Sequence, residues 1–364
     1  MDAAGAFPDA ATREAIAGAW GLSPRAQYAP LGNGLINRTL CVHDDGRERV
    51  LQRLNANVFP RPDLVMRNCH EVTAHLGRER AAGRYAFAVL ELLPTLAGAP
   101  VLVLPDASWW RMYAYLPDTC THDTVDKPAL AREAGRGFGA FACALHGLPV
   151  DSIGEVIPAF HDPAGRYAAF ERARAADRVG RAASCISECE AAAAYAEIVA
   201  AWRRLSASGL PRRIVHNDCK LNNILFDAAG RAACVIDLDT VMPGSLLFDF
   251  GDLVRTLVSP VAEDSIELDR VGVRRDLFAA LASGYVEGCG AMLSAMEHAN
   301  LVFGARLITG VIALRFLTDY LDGDRYFRVE RPLHNLDRAR TQLALFAALG
   351  EAADELQSLV PARA

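Results

Sequence analysis

The sequence predicts an α+β fold in two lobes, a β-rich N-terminal lobe followed by a mainly helical C-terminal lobe. A chain of 364 residues, 52% of them hydrophobic, is too long for one comfortable core, so two packed lobes are expected. Short β-type apolar runs fill the chain up to about Leu116, and helical spacing of apolar residues takes over from Asp118. The change of period therefore indicates both the fold class and the place where the lobes meet.

The N-terminal lobe is expected to span residues 1–117. A helical pattern over residues 64–76 interrupts its strands. The strands are predicted at residues 39–42, 50–53, 101–104 and 112–116. Pro117 ends the last of them, because proline cannot donate to a strand ladder. We therefore place the lobe boundary near Pro117.

The C-terminal lobe is expected to span residues 118–364. Its first helix is predicted from apolar residues that recur every three or four positions and so share one face. They are Leu130, Ala134, Phe138, Phe141 and Leu145. Further helices are predicted at residues 191–205, 276–286, 300–321 and 336–349. One compact β segment, residues 213–239, lies among these helices.

Composition excludes several classes of partner. The formal net charge is only -6 with both signs interspersed, which argues against nucleic acid. Prolines and a glycine divide the most apolar stretch, residues 86–105, into pieces too short to span a membrane. The first residues lack the basic start and apolar run of a secretory signal, so no export is expected. A small-molecule partner fits better, and the oligomeric state stays open.

The nine cysteines also indicate a compartment. Most lie in apolar segments without regular spacing, as expected of buried thiols in a reducing cytoplasm. Cys185 and Cys189 have no second pair at metal-ligand spacing, so no zinc site is expected around them.

The compact β segment contains the residues that indicate chemistry. His216, Asp218 and Asn223 precede a short strand, a turn at residues 227–230 leads into a second strand, and Asp237 ends it. If the strands pair as a hairpin, Asn223 lies nearly opposite Asp237. Ordinary polar residues of a turn are the alternative interpretation. The acidic residue that ends the second strand favours the functional one.

Phosphoryl transfer is the reaction that suits these residue types. Asn223 and Asp237 offer hard oxygen ligands for Mg²⁺ on ATP phosphates, and Asp239 is a further candidate ligand. Asp218 can orient an attacking hydroxyl and accept its proton. The spacing matches the kinase catalytic loop H-x-D-x-x-x-x-N, in which His216 would hold the loop.

With these motifs the sequence resembles the aminoglycoside phosphotransferase superfamily, small-molecule kinases related to protein kinases, over nearly the whole chain. The matching positions are His216, Asp218, Asn223, Ile236 and Asp237. Within the superfamily, residues 51–55, 57–59, 236–240 and 317–321 look most like the N-acetylhexosamine 1-kinase branch. The resemblance implies a protein-kinase-like bilobal fold, ATP and Mg²⁺ as cofactors, and a sugar 1-phosphate as product.

The same resemblance implies that the N-terminal lobe binds ATP. Residues 31–37 could form a glycine-rich turn around the phosphates, although Gly-Asn-Gly is also an ordinary hairpin turn. The candidate residues there are Gly32, Asn33, Gly34 and Asn37. Arg53 stands where the kinase pattern has a lysine, and Glu71 is nearest in register for its acidic partner. A solvated helix glutamate is the alternative for Glu71.

The acceptor is expected beside residues 315–327, where an apolar helix ends in guanidinium, carboxylate and phenol groups. The candidate acceptor residues are Asp218, Arg315, Asp319, Tyr320 and Tyr326. An intrahelical Arg315–Asp319 salt bridge followed by a turn is the alternative.

Three alternatives stay open at this point. Asp249 and Asp252 are expected to cap a helix or brace a loop, with substrate contact as the other possibility. The acceptor could be an aminoglycoside or an amino alcohol instead of a sugar, since fold alone cannot separate them. A nucleotide-binding pseudokinase is the third alternative, motivated by the arginine at position 53.

Overall fold

A computed structural model describes residues 7–32 and 36–363. Its N-terminal half is a six-stranded sheet in the order β1-β2-β3-β6-β4, with β5 also paired to β6. The strands are β1 (Gln27–Pro30), β2 (Arg38–Asp44), β3 (Arg47–Leu54), β4 (Leu92–Leu93), β5 (Leu102–Val103) and β6 (Trp109–Ala114). Helix α1 (Ala10–Trp20) precedes the sheet, and α2 (Pro62–Ala81) follows β3.

The two faces of this sheet have different partners. On one face, here the outer face, Leu40 and Leu51 pack against Ile16 and Trp20 of α1. Strand alternation puts the next residues on the opposite, inner face. Directly opposite pairs there are Thr39 with Gln52, Cys41 with Val50, His43 with Glu48, Gln52 with Arg111, and Val50 with Tyr113. The inner face is the one that meets α2 and the C-terminal half, because Arg111 contacts Cys69 of α2.

The C-terminal half is mainly helical and carries three short strand pairings. The first elements are β7 (Thr119–Cys120), α3 (Pro128–Leu145), α4 (Pro163–Ala176), α5 (Ile186–Ala193), α6 (Tyr195–Ala207), β8 (Arg213–Val215), β9 (Ile224–Asp227), β10 (Ala232–Val235) and β11 (Met242–Gly244). The remaining helices are α7 (Leu246–Leu257), α8 (Arg275–Cys289), α9 (Ala295–Ala299), α10 (Leu301–Leu321), α11 (His334–Glu351) and α12 (Ala353–Leu359). These elements confirm the predicted α+β class.

Close helix packing in this half depends on glycine. A Cβ atom on Gly284 of α8 would collide with the carbonyl oxygen of Arg132 in α3, and one on Gly135 would collide with that of Leu281. The two backbones therefore approach until they touch, and larger residues at these positions would push the helices apart.

Helix α10 forms the centre of the C-terminal core. By length and composition it could cross a membrane, but 78% of its apolar window is buried within the fold. It packs against α4, α7 and α11. An all-round apolar helix of this kind is typical of a protein core.

The predicted elements differ from the observed ones in a few places. The helix predicted at residues 191–205 is two helices, α5 and α6, which meet at Ala194. Helix α4 was not predicted, because its apolar residues are too few to give a clear period. Thr119 pairs with Asp227 of β9, and the lobe boundary near Pro117 stays a prediction.

Candidate active site

Helix α7 holds the loop between β8 and β9 in place through the carboxylate of Asp249. The backbone N–H groups of His216 and Asn217 donate to the two carboxylate oxygens of Asp249, at 2.8 and 2.7 Å. The His216 ring packs between Phe138 and Phe141, and its Nε2 lies 2.9 Å from the carbonyl oxygen of Ile236. His216 therefore positions the loop instead of facing the cleft, and burial lowers its pKa so that it stays neutral.

Asp218 lies at the centre of a charged group of side chains. Its Oδ2 accepts from Asn223 Nδ2 at 2.8 Å, and its Oδ1 lies 2.6 Å from the Lys220 ammonium. Burial alone would raise the pKa of Asp218, but Lys220 and the hydrogen bond from Asn223 outweigh it and hold this pKa below its usual value. Asp218 is thus ionised and can accept a proton.

The hairpin brings the predicted metal ligands together. Ile224 pairs with Val235, and the Ile236 N–H donates to the Asn223 carbonyl at 2.9 Å, so Ile236 lies opposite Asn223 and Asp237 follows one residue later. The backbone of Asp237 has a φ of 58°, a left-handed conformation of the kind found at functional sites. Burial, followed by the nearby Asp239 and Asp218 carboxylates, raises the pKa of Asp237 to about 7.

The donor set around Asp237 fits a divalent cation. Asn223 uses its amide nitrogen on Asp218, which leaves the amide oxygen as a ligand beside the Asp237 carboxylate. Carboxylate and amide oxygens are the ligands that Mg²⁺ prefers. Repulsion among the three carboxylates is also what a bound cation would relieve.

Asp239 is engaged differently from Asp237. It is buried, and its Oδ1 lies 2.6 Å from Arg111 Nη1. Its Oδ2 accepts from Asn37 Nδ2 at 2.5 Å. Both oxygens thus have protein partners, which makes Asp239 a weaker candidate metal ligand than Asp237. Asn37 in turn ties the end of the glycine-containing turn to this carboxylate.

The buried cation of the N-terminal lobe is Arg111 on β6, and not Arg53. Gln52, the neighbour of Arg53 on β3, faces inward, and its Oε1 accepts from Arg111 Nε and Nη2 at 3.0 and 2.8 Å. Arg53 is on the outer face, half-exposed, with Nη2 3.8 Å from Asp106 and its guanidinium 5.8 Å from the Trp110 ring centroid. Gln52 and Arg53 are on different faces of the sheet because neighbouring residues of a strand point to opposite faces.

The glycine-containing turn is described only in part. Asn33 and Gly34 lie outside the described residues. Gly32 has a φ of 70° and lines an open cleft of about 650 Å³ together with Asn37 and Arg53. Their contact with phosphates remains a prediction. The buried acid that pairs with the lobe's cation is Asp239, and no ion pair of Glu71 occurs among the described residues.

The predicted acceptor residues separate into two groups. The Arg315 guanidinium is surrounded by the rings of Phe160, Tyr326 and Phe327, at 4.8, 5.5 and 5.3 Å, and Arg315 Nη2 lies 3.4 Å from the Tyr326 hydroxyl. His161 connects this group to the catalytic loop, because its Nε2 lies 2.9 Å from the Asn217 carbonyl oxygen. Arg315 and Tyr326 therefore lie beside the loop.

Asp319 and Tyr320 have structural partners instead. The Asp319 carboxylate accepts from the backbone N–H groups of residues 325–327, at 2.8, 2.8 and 2.9 Å, and from Asn335 Nδ2. Tyr320 is buried, with its hydroxyl 3.1 Å from Ser184 Oγ. Across residues 7–32 and 36–363, no salt bridge joins Arg315 to Asp319, so the simple intrahelical alternative is not what the structure contains.

Asp249 and Asp252 brace the structure. Ser245 caps α7, so neither aspartate is the cap. Asp249 holds the catalytic loop as described above. Asp252 lies in the next turn of α7 and accepts from Arg255 at 2.7 and 3.0 Å.

Two functional candidates escaped sequence reasoning. Lys220 stands two residues after Asp218, and a cation at that offset in the loop is a readable signal. Arg111 is the single charge within the apolar run Trp109-Trp110-Arg111-Met112-Tyr113, and an unpaired charge in a central strand predicts a buried partner. The identity of that partner could not be read from the sequence.

Comparison with known proteins gives one family and several solved structures that share its fold. Residues 27–286 match the APH model, described as a phosphotransferase enzyme family. A microcompartment-associated aminopropanol kinase is 15% identical with a TM-score of 0.59, over 95% of this chain and 98% of its own. An aminoglycoside phosphotransferase from Alicyclobacillus acidocaldarius is 14% identical with a TM-score of 0.58, over 96% and 97%.

A spectinomycin phosphotransferase solved with ADP and spectinomycin is 11% identical with a TM-score of 0.56, over 94% of this chain and 98% of its own. Identities this low show the shared protein-kinase-like fold and nothing finer. The family match covers most of the chain, including the loop with Asp218 and the hairpin with Asp237. The chain therefore belongs to the APH phosphotransferase enzyme family, and the predicted class of ATP-dependent phosphotransferase is confirmed.

Proposed function

We propose that this enzyme transfers the γ-phosphoryl group of ATP to the anomeric hydroxyl of a hexose, an N-acetylated one, and releases a sugar 1-phosphate. The observation that carries the proposal is the placement of the ionised Asp218 between the Asn223–Asp237 pair and the Arg315–Tyr326 group. The side of Asp218 that faces Asn223 and Asp237 suits ATP phosphates with their metal. The side that faces Arg315 and Tyr326 suits an acceptor with several hydroxyl groups.

In this proposal ATP lies between the inner face of the sheet and the catalytic loop. Gly32 and Asn37 line the cleft on the N-terminal side, and Asn33 and Gly34 lie between them in the sequence. Arg53 also lines this cleft, but from the outer face, and it is given no phosphate contact here. Asn223 and Asp237 would hold Mg²⁺, with Asp239 as the weaker candidate. When bound, Mg²⁺ neutralises charge on the phosphates.

The protein's own groups account for the rest of the reaction. Asp218 orients the acceptor hydroxyl and takes its proton as the oxygen attacks phosphorus. Lys220, 2.6 Å from Asp218, offers a positive charge beside the group in transfer. His216 and Asp249 keep the loop in place, so that the carboxylate meets the hydroxyl in a fixed geometry.

The hydrogen-bond donors and acceptors of the acceptor cleft support a sugar. Arg166 and Arg315 line the same cleft of about 170 Å³ with Tyr326 and Phe327, and the carboxylates of Asp319 and Asp322 line it as well. Burial, followed by the positive charge of Arg315, lowers the pKa of Arg166 to about 10. The two guanidinium groups can donate to the hydroxyl and carbonyl oxygens of a neutral N-acetylhexosamine, and the Asp322 carboxylate can accept from its hydroxyl groups.

Other acceptors remain as the second candidate. The fold is shared with an aminopropanol kinase and with aminoglycoside phosphotransferases, so an amino alcohol or aminoglycoside is the natural comparison. A pseudokinase role is disfavoured, because Asp218, Asn223 and Asp237 are all in place. Nine free cysteines support the cytoplasm as the proposed location.

A coupled ADP-release assay over neutral hexoses, N-acetylhexosamines, amino alcohols and aminoglycosides tests the acceptor class. Phosphorus NMR of the product then tests the position. Coupling of the phosphate to the anomeric proton is the expected result. Coupling to the C6 protons would reject 1-kinase chemistry, and turnover with amines alone would support the second candidate.

A further inference from the structure

Three potential metal ligands lie on the inner face of the sheet, at the end away from the catalytic aspartates. Cys41 and His43 are two residues apart on β2 and so point to the same face. Glu48 is directly opposite His43 on β3. We call these three residues the β2–β3 cluster. Two strands and a fixed register, and not one flexible loop, hold them together.

The ligand atoms of the cluster are already close. The Cys41 sulfur, one His43 ring nitrogen and one Glu48 carboxylate oxygen all lie within 4.8 Å of one another. His43 Nδ1 and Glu48 Oε1 are 3.0 Å apart. Cys41 is buried, while His43 and Glu48 are about half-exposed. An ion can therefore reach the cluster from solvent and bind the Cys41 thiolate.

The kind of donor selects the kind of ion. Thiolate, imidazole and carboxylate are the three ligand types of zinc sites, and three protein ligands leave a fourth position for water. Mg²⁺ and Ca²⁺ take oxygen ligands and would not use the sulfur. Among the described residues this is the one group of three or more such side chains that meets the distance condition.

We propose that Cys41, His43 and Glu48 bind one Zn²⁺ or similar borderline divalent ion, and that this ion and the adenine base of the nucleotide exclude each other. The exclusion, unlike the ion site, rests on the ATP site proposed above. Binding of the ion to the β2–β3 cluster does not depend on where the nucleotide lies.

The position of the cluster explains the exclusion. The Thr39–Gln52 pair lies beside Arg111 and hence beside Asp239, at the phosphate end of the inner face. The His43–Glu48 pair is four residues further along the strands, about 13 Å away. A nucleotide with its phosphates at Asp237 directs its base toward this second end.

The residues that join the two lobes lie at the same end of the sheet as the β2–β3 cluster. Tyr115 and Pro117 line a cleft of about 470 Å³ together with His43 and Glu48. A hydrated ion bound to Cys41, His43 and Glu48 would project into this space. The base and the ion would then compete for it.

Cobalt is the probe for the ion site, because a cobalt–thiolate bond gives a near-ultraviolet charge-transfer band. The full-length protein is titrated with Co²⁺ in excess Mg²⁺, which occupies oxygen-only sites. We expect one equivalent of Co²⁺ to give the band and Zn²⁺ to remove it. Cys41→Ser should abolish the band, and His43→Gln or Glu48→Gln should weaken binding by at least the roughly 10- to 100-fold that loss of even an outer-shell partner costs.

Cys120→Ser is the matched control. Cys120 is an exposed thiol whose sulfur lies 3.8 Å from His122 Nε2, in the same Cys-x-His spacing but without a third ligand in reach. This variant should keep the band. Absence of a band in the parent, or its survival in Cys41→Ser, would overturn the ion site. Circular dichroism checks that each variant is folded.

The exclusion is measured with a fluorescent ADP analogue at fixed Mg²⁺. Zn²⁺ at ten times its own Kd should weaken its binding roughly 10-fold in the parent, with no limit at higher Zn²⁺, as competition for one space requires, and should leave Cys41→Ser unchanged. An equal loss in both proteins would overturn the exclusion. If the analogue does not bind at all without zinc, the proposed function fails while the cobalt result still decides the ion site.

Discussion

The catalytic loop and the segment that ends α10 are both rich in polar side chains, but they use them in different ways. In the loop, the groups face one another around Asp218, which has Lys220 and Asn223 as neighbours and one side toward the cleft. In the α10 segment, Asp319 is fully occupied by backbone N–H groups and Asn335, whereas Arg315 and Tyr326 line the acceptor cleft.

The difference shows how to separate chemistry from support. A buried carboxylate that accepts several backbone hydrogen bonds shapes a loop, because its lone pairs are already used. A carboxylate whose partners are other functional side chains can change its partners during a reaction. Five experiments test this distinction, in order of decreasing effect.

Asp218→Asn should have the largest effect. It keeps the shape and the contact with Asn223 but removes the proton acceptor, so turnover should fall roughly 100- to 10,000-fold. Nucleotide binding should be largely retained. Steady-state ADP release and a nucleotide titration measure the two quantities. Asn222→Ala, at an exposed neighbour, is the control and should stay close to the parent; near-normal turnover of Asp218→Asn would remove it from the mechanism.

Arg111→Met should chiefly affect stability. It leaves the buried Asp239 without its cation, which typically costs about 3–5 kcal/mol. Urea unfolding measures the loss. The double variant Arg111→Met/Asp239→Leu should recover part of it, because the orphaned charge is then gone. Equal stability of the single and double variants would mean that the pair is not coupled.

Arg315→Met should raise the acceptor KM by roughly 10- to 100-fold, the cost of about 1.5–3 kcal/mol for a lost hydrogen bond from a charged group. The ATP KM should not change. Arg315→Lys keeps the charge without the planar fork and should recover only part of the loss. If both KM values rose together, Arg315 would be supporting the fold and not the acceptor.

The two tyrosines of the α10 segment form a matched pair. Tyr326→Phe should raise the acceptor KM by roughly 2- to 13-fold, since one neutral hydrogen bond contributes about 0.5–1.5 kcal/mol. Tyr320→Phe loses only its contact with Ser184, so it should leave both KM values alone and lower stability by about 1 kcal/mol. The reverse pattern would show that the tyrosines have been assigned the wrong way round.

Arg53→Met should have the smallest effect of the five. Its guanidinium is on the outer face and half-exposed, and its pair with Asp106 at 3.8 Å contributes at most about 1 kcal/mol. The phosphate contact predicted from sequence would instead raise the ATP KM strongly and selectively. Parallel ATP titrations of Arg53→Met and Arg53→Lys decide between these outcomes.

The catalytic half of the site could be predicted because it is local. His216, Asp218 and Asn223 lie within eight positions, and a hairpin with a short turn brings Asp237 to the residue after the one opposite Asn223. The lobe order, the class of fold and the reaction class follow from the same local patterns. No long-range contact had to be known.

Only the tertiary structure decided which polar groups are free to act. Arg111 meets Asp239 from 128 positions away in the chain, and strand register gave the inner face to Gln52 and the outer face to Arg53. The register of β2 against β3 also placed Cys41 and His43 on the same face of the sheet as Glu48. Asp319 and Arg315 lie one helical turn apart, yet the loop after α10 occupies one carboxylate and leaves the guanidinium among aromatic rings. Composition indicates which groups a segment has, whereas packing determines which of them already have partners.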